Sequence, residues 1–388
     1  MMLLPCLFVL AIAPAAAQEY RITREGPYWV RTDVGVLPPP AGARLHVETL
    51  GNVEARGELR QDLGYLVRRR VRASNLAGAR RLLGGAPVSY TGLRGRETFR
   101  VAPGWERRFP PELVLHVPRQ LRYLSVNTRN GAVTAQDIDG AVAVNAMAGS
   151  IGMDRIQSSV TARTGGGEIR LGRIRGAVRC LSGGGGIWVG AAGDQAVLQT
   201  TGGEVFVREA SGPVFAATGG GNIEIQRALS LVNARTGGGL VSVNQASGMV
   251  RANTSGGAIR IGAAKSVHCE SAAGAIELQS VSGALRASTL MGSILASIQD
   301  DRFEDSFLNT GAGDITVFLP SNLAVTVQAD NEMSGALGRI LSEFPEIRVH
   351  RGIWSTGKPV QAQGALNGGG PVLKLAAAGG IISLKRQK

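Results

Sequence analysis

Residues 159–176 read "SVTARTGGGEIRLGRIRG", and the next eighteen, 177–194, read "AVRCLSGGGGIWVGAAGD". Small, apolar and glycine positions fall in the same order in both, and recurrence at a fixed spacing marks repeated architecture before it marks chemistry. The period extends in both directions. From Tyr123 to Ile298 the chain divides into ten coils of 18 residues, except that the coil ending at Lys265 has 17 and the last is cut short.

Position 9 of every coil is glycine, from Gly131 to Gly292, and position 11 is always Val or Ile, from Val133 to Ile294. Positions 2 and 4, and again 11 and 13, are small or aliphatic, which is the period of two of a half-buried strand. Two short strands per coil around a glycine corner predict a single-stranded parallel β-solenoid, or β-helix, in which stacking buries what one coil cannot bury alone. Position 16 is apolar from Ile156 to Val281, which adds a third inward side. Position 6 is Thr or Ser in nine coils, Ala146 being the exception, and predicts a hydroxyl ladder at the corner.

This assigns the glycine triplet Gly165–Gly167 to a corner. A phosphate-binding loop needs a following helix, and calcium-binding nonapeptide repeats need an Asp in the turn; "TGGGEI", "SGGGGI" and "TGGGNI" have neither. Cys180 and Cys269 both fall at position 4, five coils apart. At about 4.8 Å per coil they lie far beyond disulfide reach, which predicts free buried thiols.

The rest of the chain is organised around the repeat. Residues 1–17, "MMLLPCLFVLAIAPAAA", predict a signal peptide with an A-x-A site before Gln18, hence export to the periplasm, outer surface or medium. Residues 18–122 predict a β-rich N-terminal cap, with "NLAGARRLLGG" as one helix capped by Asn75. Residues 123–298 are the ten coils. Residues 299–388 predict an irregular continuation and C-terminal cap, with "GALGRILSEFPEI" as a short helix and "PVLKLAAAGGIISLKR" as a closing strand pair. No segment after the leader is apolar over 18 residues, so none is expected to span a membrane as a helix.

Composition agrees with an elongated repeat protein: 55 of 388 residues are glycine and only 5% are aromatic. The net charge of +13 is concentrated early, where residues 19–122 carry 19 Arg against 10 acidic residues. Such a surface favours anionic partners, while the alternation in "YLVRRRVRA" places some of these arginines on a solvated strand face.

The order of several motifs resembles the bacterial putative-adhesin family: "LVLHVPRQLRYLSVNTRNGAVTAQDIDG", then the "T-G-G-G-x-I-x-V" coils, "NTGAGDITVFLP", "SEFP" and a terminal "GGGPVLKLAAAGGIISLKR". The resemblance implies an exported envelope β-solenoid. It brings no reaction, cofactor or catalytic residue with it.

The four histidines lie outside metal-ligand spacing, since adjacent His268 and Cys269 point to opposite faces of a strand. Neither a metal nor a cofactor is expected. Position 12 faces outward, and there consecutive coils place Arg170, Trp188, Phe206 and Glu224. Leu181, Val197 and Phe215 occupy outward positions of the other strand. Trp188, Phe206, Phe215 and Arg170 are therefore the candidate binding residues, suited to stacking on sugar rings or docking a protein. The resulting expectation is a non-enzymatic, adhesin-like binding or scaffold protein for a glycan, an anionic envelope component or a protein, with no specific nucleic-acid site. Self-association through the solenoid ends is a further possibility. The alternative is a polysaccharide-processing enzyme using carboxylates on one face, such as Glu168, Glu204, Glu224 and Glu277.

Overall fold

The computed structural model describes residues 19–93, 96–102, 109–299, 302–332, 339–350 and 360–387. The candidate signal peptide lies outside these. The chain is nearly all β, 62% strand, with a single α-helix among the described residues. It divides into two compact units, Met1–Asp139 and Gly140–Lys388.

In the first unit, strand Arg44–Thr49 runs parallel to both Arg96–Val101 and Tyr123–Thr128. Asn52–Glu58 likewise runs parallel to both Glu112–Pro118 and Val133–Ile138. Leu45, Val47 and Thr49 sit opposite Leu124, Val126 and Thr128, so the N-terminal segment itself contains a coil of the repeat type. The strand Leu63–Val71 then turns antiparallel onto Glu112–Pro118 and Tyr28–Leu37. An antiparallel strand, Glu19–Glu25, completes this sheet, and its charged residues suit an edge.

The predicted helix is present as Leu76–Leu82, and the Asn75 Oδ1 accepts the Gly78 N–H at 2.8 Å. Its Ala79 and Leu83 pack on Val71, with Trp29 alongside. The arginines of "YLVRRRVRA" divide by strand parity. Arg68 and Arg70 lie on the solvent side and pair with Glu112, Arg68 also with Glu25. Arg69 is buried at 5% exposure beside the fully buried Asp33, which Arg31 also contacts at 2.7 Å.

In the second unit, stacked parallel coils form a β-solenoid of about 11 turns. Each repeat from Ala141 contributes one strand to each of two sheets, in register: Val160↔Val178↔Ala196 in one, Ile169↔Ile187↔Val205 in the other. Positions 2 and 4 of one sheet meet positions 11 and 13 of the other in the core. Position 16 is buried too, as in Ile156, Ile174 and Ala192, because two outward residues intervene after position 13 and bend the strand inward.

The corner glycines owe their identity to close approach. A Cβ on Gly167, Gly185 or Gly221 would collide with the carbonyl of the corresponding glycine one coil earlier, and none of them has positive φ. The hydroxyl ladder is present. Thr218 Oγ1 donates to the Gly203 carbonyl of the preceding coil at 2.8 Å and accepts the Gly221 N–H of its own at 3.2 Å. The same pair of bonds recurs at Thr164, Ser182, Thr200, Thr236, Thr254 and Ser271. It satisfies two backbone groups at each closed corner.

The C-terminal strands depart from sequence order. Val372–Ala377 slots between Ser306–Thr310 and Val325–Asn331, parallel to both. Ile381–Arg386 slots between Ile315–Leu319 and Arg339–Ser342. The helix expected in "GALGRILSEFPEI" is not formed over its described part. Arg339–Ser342 is a strand, and Ile340 pairs with Ile382. An open sheet edge offers those backbone groups partners, and Pro345 would interrupt a helix.

Candidate binding face

Strands Ile169–Ile174, Ile187–Ala192, Val205–Ala210 and Ile223–Ala228 lie side by side, so Arg170, Trp188, Phe206 and Glu224 form consecutive rungs. The Arg170 guanidinium stands over the Trp188 ring, 4.8 Å from its centroid. Glu168 holds that guanidinium through Nε at 3.0 Å and Nη2 at 2.9 Å. Trp188 is only half exposed because its six-membered ring folds back over Gly186. Phe206 is half-buried on the next rung.

Phe215 does not join this group. It pairs with Val197 and Asn233 in the other sheet, whose outward side chains leave the core in a different direction. The structure therefore brings three of the four candidate residues together. Leu181, 46% exposed, stands on a neighbouring ladder with Gln199, Ala217 and Arg235, where it lines an open groove of about 610 Å³. The sequence pattern missed this groove because it arises from small residues at the rim.

Two of the remaining sequence candidates, His268 and Glu277, have local partners. His268 Nε2 lies 3.0 Å from Glu270 Oε1. Glu277 accepts from Gln279 at 3.0 Å and lies 3.7 Å from Arg260. Cys180 and Cys269 are both free and buried, as the coil arithmetic requires. Burial raises both thiol pKa values, that of Cys269 to about 12. Among the described residues no group of three or more His, Cys, Asp or Glu could hold a metal ion, and no helix is long and apolar enough to cross a membrane.

These features define a parallel β-solenoid with a cation-capped aromatic ladder on one sheet. No family model matches the chain, and no curated protein matches it. Similar solved structures include a "putative cell adhesion protein" from Clostridium sporogenes, 9% identical, covering 92% of this chain and 100% of that one, with a TM-score of 0.21. A "putative adhesin" from Bacteroides fragilis is 12% identical and covers 74% of this chain and 97% of that one, with a TM-score of 0.24. At such scores the fold assignment rests on this chain's own strand register.

Proposed function

We propose that this chain is an exported, non-enzymatic binding or scaffold protein of the cell envelope, acting through an adhesin-like face on its solenoid. The observation that carries the reading is the Arg170–Trp188–Phe206 ladder. Three rungs of one sheet hold a guanidinium, the half-buried indole beneath it and a half-buried phenyl ring in fixed register. Half-exposed aromatic faces gain by stacking on the apolar face of a sugar ring or on a partner's side chain, and the sheet fixes them before binding. Glu168 is engaged by Arg170 through two hydrogen bonds, which suits positioning better than proton transfer.

The test is a glycan and envelope-fraction binding array probed with the protein and with its Trp188→Ala/Phe206→Ala variant. Binding lost in the variant, with the circular dichroism spectrum retained, supports the reading. Equal binding by both proteins, or none by either, removes this face as the site for those ligands.

A further inference from the structure

The second sheet of the solenoid carries an outward ladder of a different character. Arg251 pairs with His268, His268 with Arg286, Arg286 with Phe307, and Phe307 with Lys374. Arg251, Arg286 and Lys374 are exposed and make no ion pair within the described residues, and Phe307 is 40% exposed between two of them. Two acids lie nearby and each has a partner: Glu270 accepts from Asn253 and contacts His268 of the ladder itself, and Asp305 accepts the Val372 N–H at 2.8 Å. An open pocket of about 370 Å³ is lined by Arg286, Phe307 and Lys374 together with Asp305, Ser306 and Val372. Beyond Lys374 the next rung is Gln328, so the ladder continues with a neutral hydrogen-bonding residue.

Spacing gives the ladder its specificity. Rungs of a sheet repeat at about 4.8 Å, so cations on every second rung recur at about 9.6 Å, close to the length of one disaccharide. An extended two-fold polyuronate turns alternate carboxylates to the same side, so one carboxylate per disaccharide would meet Arg251, Arg286 and Lys374 in turn. The half-exposed imidazole and phenyl ring between them would face its sugar rings. Cations without ion-pair partners, recurring in fixed register, have the charge complement such a chain needs. Phe215 lies on the same ladder, two rungs before Arg251, with Asn233 between.

We propose that this Arg251–Lys374 ladder is a binding track for a linear acidic polysaccharide of the uronate class, aligned along the solenoid axis. The track is separate from the Trp188 face, and it stands or falls independently of the function proposed above.

The experiment measures affinity for polygalacturonate and polymannuronate, with neutral dextran, single-stranded DNA and phosphatidylglycerol vesicles as comparison probes. Four proteins are used: the unaltered chain; the ladder variant Arg251→Gln/Arg286→Gln/Lys374→Gln; a charge-matched variant of the other sheet, Arg173→Gln/Arg227→Gln/Arg260→Gln; and Trp188→Ala/Phe206→Ala. The expected result is polyuronate binding with no dextran binding. The ladder variant should weaken it about tenfold or more, and the charge-matched variant less than about twofold. Trp188→Ala/Phe206→Ala should leave it unchanged, so failure here is distinguishable from failure of the aromatic face. Should the ladder variant not fold, the comparison passes to Arg286→Gln against Arg286→Lys, where the lysine should retain most of the affinity. Absence of polyuronate binding, equal loss in both charge variants, or binding confined to DNA or vesicles would overturn the proposal.

Discussion

The six-membered ring of Trp188 lies over Gly186, two residues earlier on the same strand approach, where any Cβ would collide with it. Glycine there holds the indole down against the corner, and Arg170 covers its other flank. Gly186→Ala should therefore turn the ring outward. The colliding atoms are the far end of a side chain, so the fold should survive at a cost below about 1 kcal/mol. In the 5-fluorotryptophan-labelled protein, one of four fluorine resonances should move, and Trp188→Phe identifies which. An unmoved spectrum would mean that the ring is not held by this contact.

The hydroxyl ladder predicts a local loss. Thr218→Val keeps the shape but deletes an acceptor for the Gly221 N–H and a donor to the Gly203 carbonyl. Leaving such groups unpaired in a site only 7% exposed costs about 1–3 kcal/mol. Long repeats need not unfold as one unit, so the decisive readout is local hydrogen exchange. The Gly221 amide should exchange faster in Thr218→Val and at the native rate in Thr218→Ser. Equal rates in all three proteins would deny the hydroxyl its bridging role.

Adjacent corner glycines should behave oppositely. A Cβ on Gly220 meets nothing within 4 Å, whereas one on Gly221 would strike the Gly203 backbone. Gly220→Ala should be neutral or slightly stabilising, since it restricts the unfolded chain. Gly221→Ala must push two coils apart and should cost about 3 kcal/mol or more. Urea denaturation of the two variants separates the outcomes, and equal destabilisation would remove close packing as the reason for glycine at this position.

How much of this was legible in sequence depended on whether neighbours in space shared a period in the chain. Val133 to Ile294 recur on schedule, so coil, core and corner followed from spacing alone. The coil built from Leu45, Val47, Thr49 and Val53 carries the same pattern but was hidden, because the inserted strands between Leu63 and Val101 break the period before it resumes at Tyr123. Outward parity alone makes Phe215 and Trp188 alike, yet position 3 and position 12 belong to different sheets. The cationic ladder was the least visible feature. Phe307 and Lys374 are adjacent rungs separated by 67 residues, because the final strand pair enters the stack out of order.

The buried thiols make an alkaline prediction with a definite sign. Burial raises both pKa values, and that of Cys269 is pushed up to about 12, against about 8.5 for a thiol in an unfolded chain. Below the unfolded value both states hold the proton, and the thiols make stability no different with pH. As pH rises above it, the unfolded chain ionises while the folded one cannot, so stability is lost progressively until the folded pKa is reached. The limiting slope is about 1.4 kcal/mol per pH unit for each thiol. Cys180→Ala/Cys269→Ala should start less stable at pH 8, because it loses core volume, yet decline more gently between pH 9 and 11. Denaturant midpoints across that range provide the measurement. Parallel pH curves for the variant and the unaltered chain would show that the thiols reach solvent before the solenoid opens.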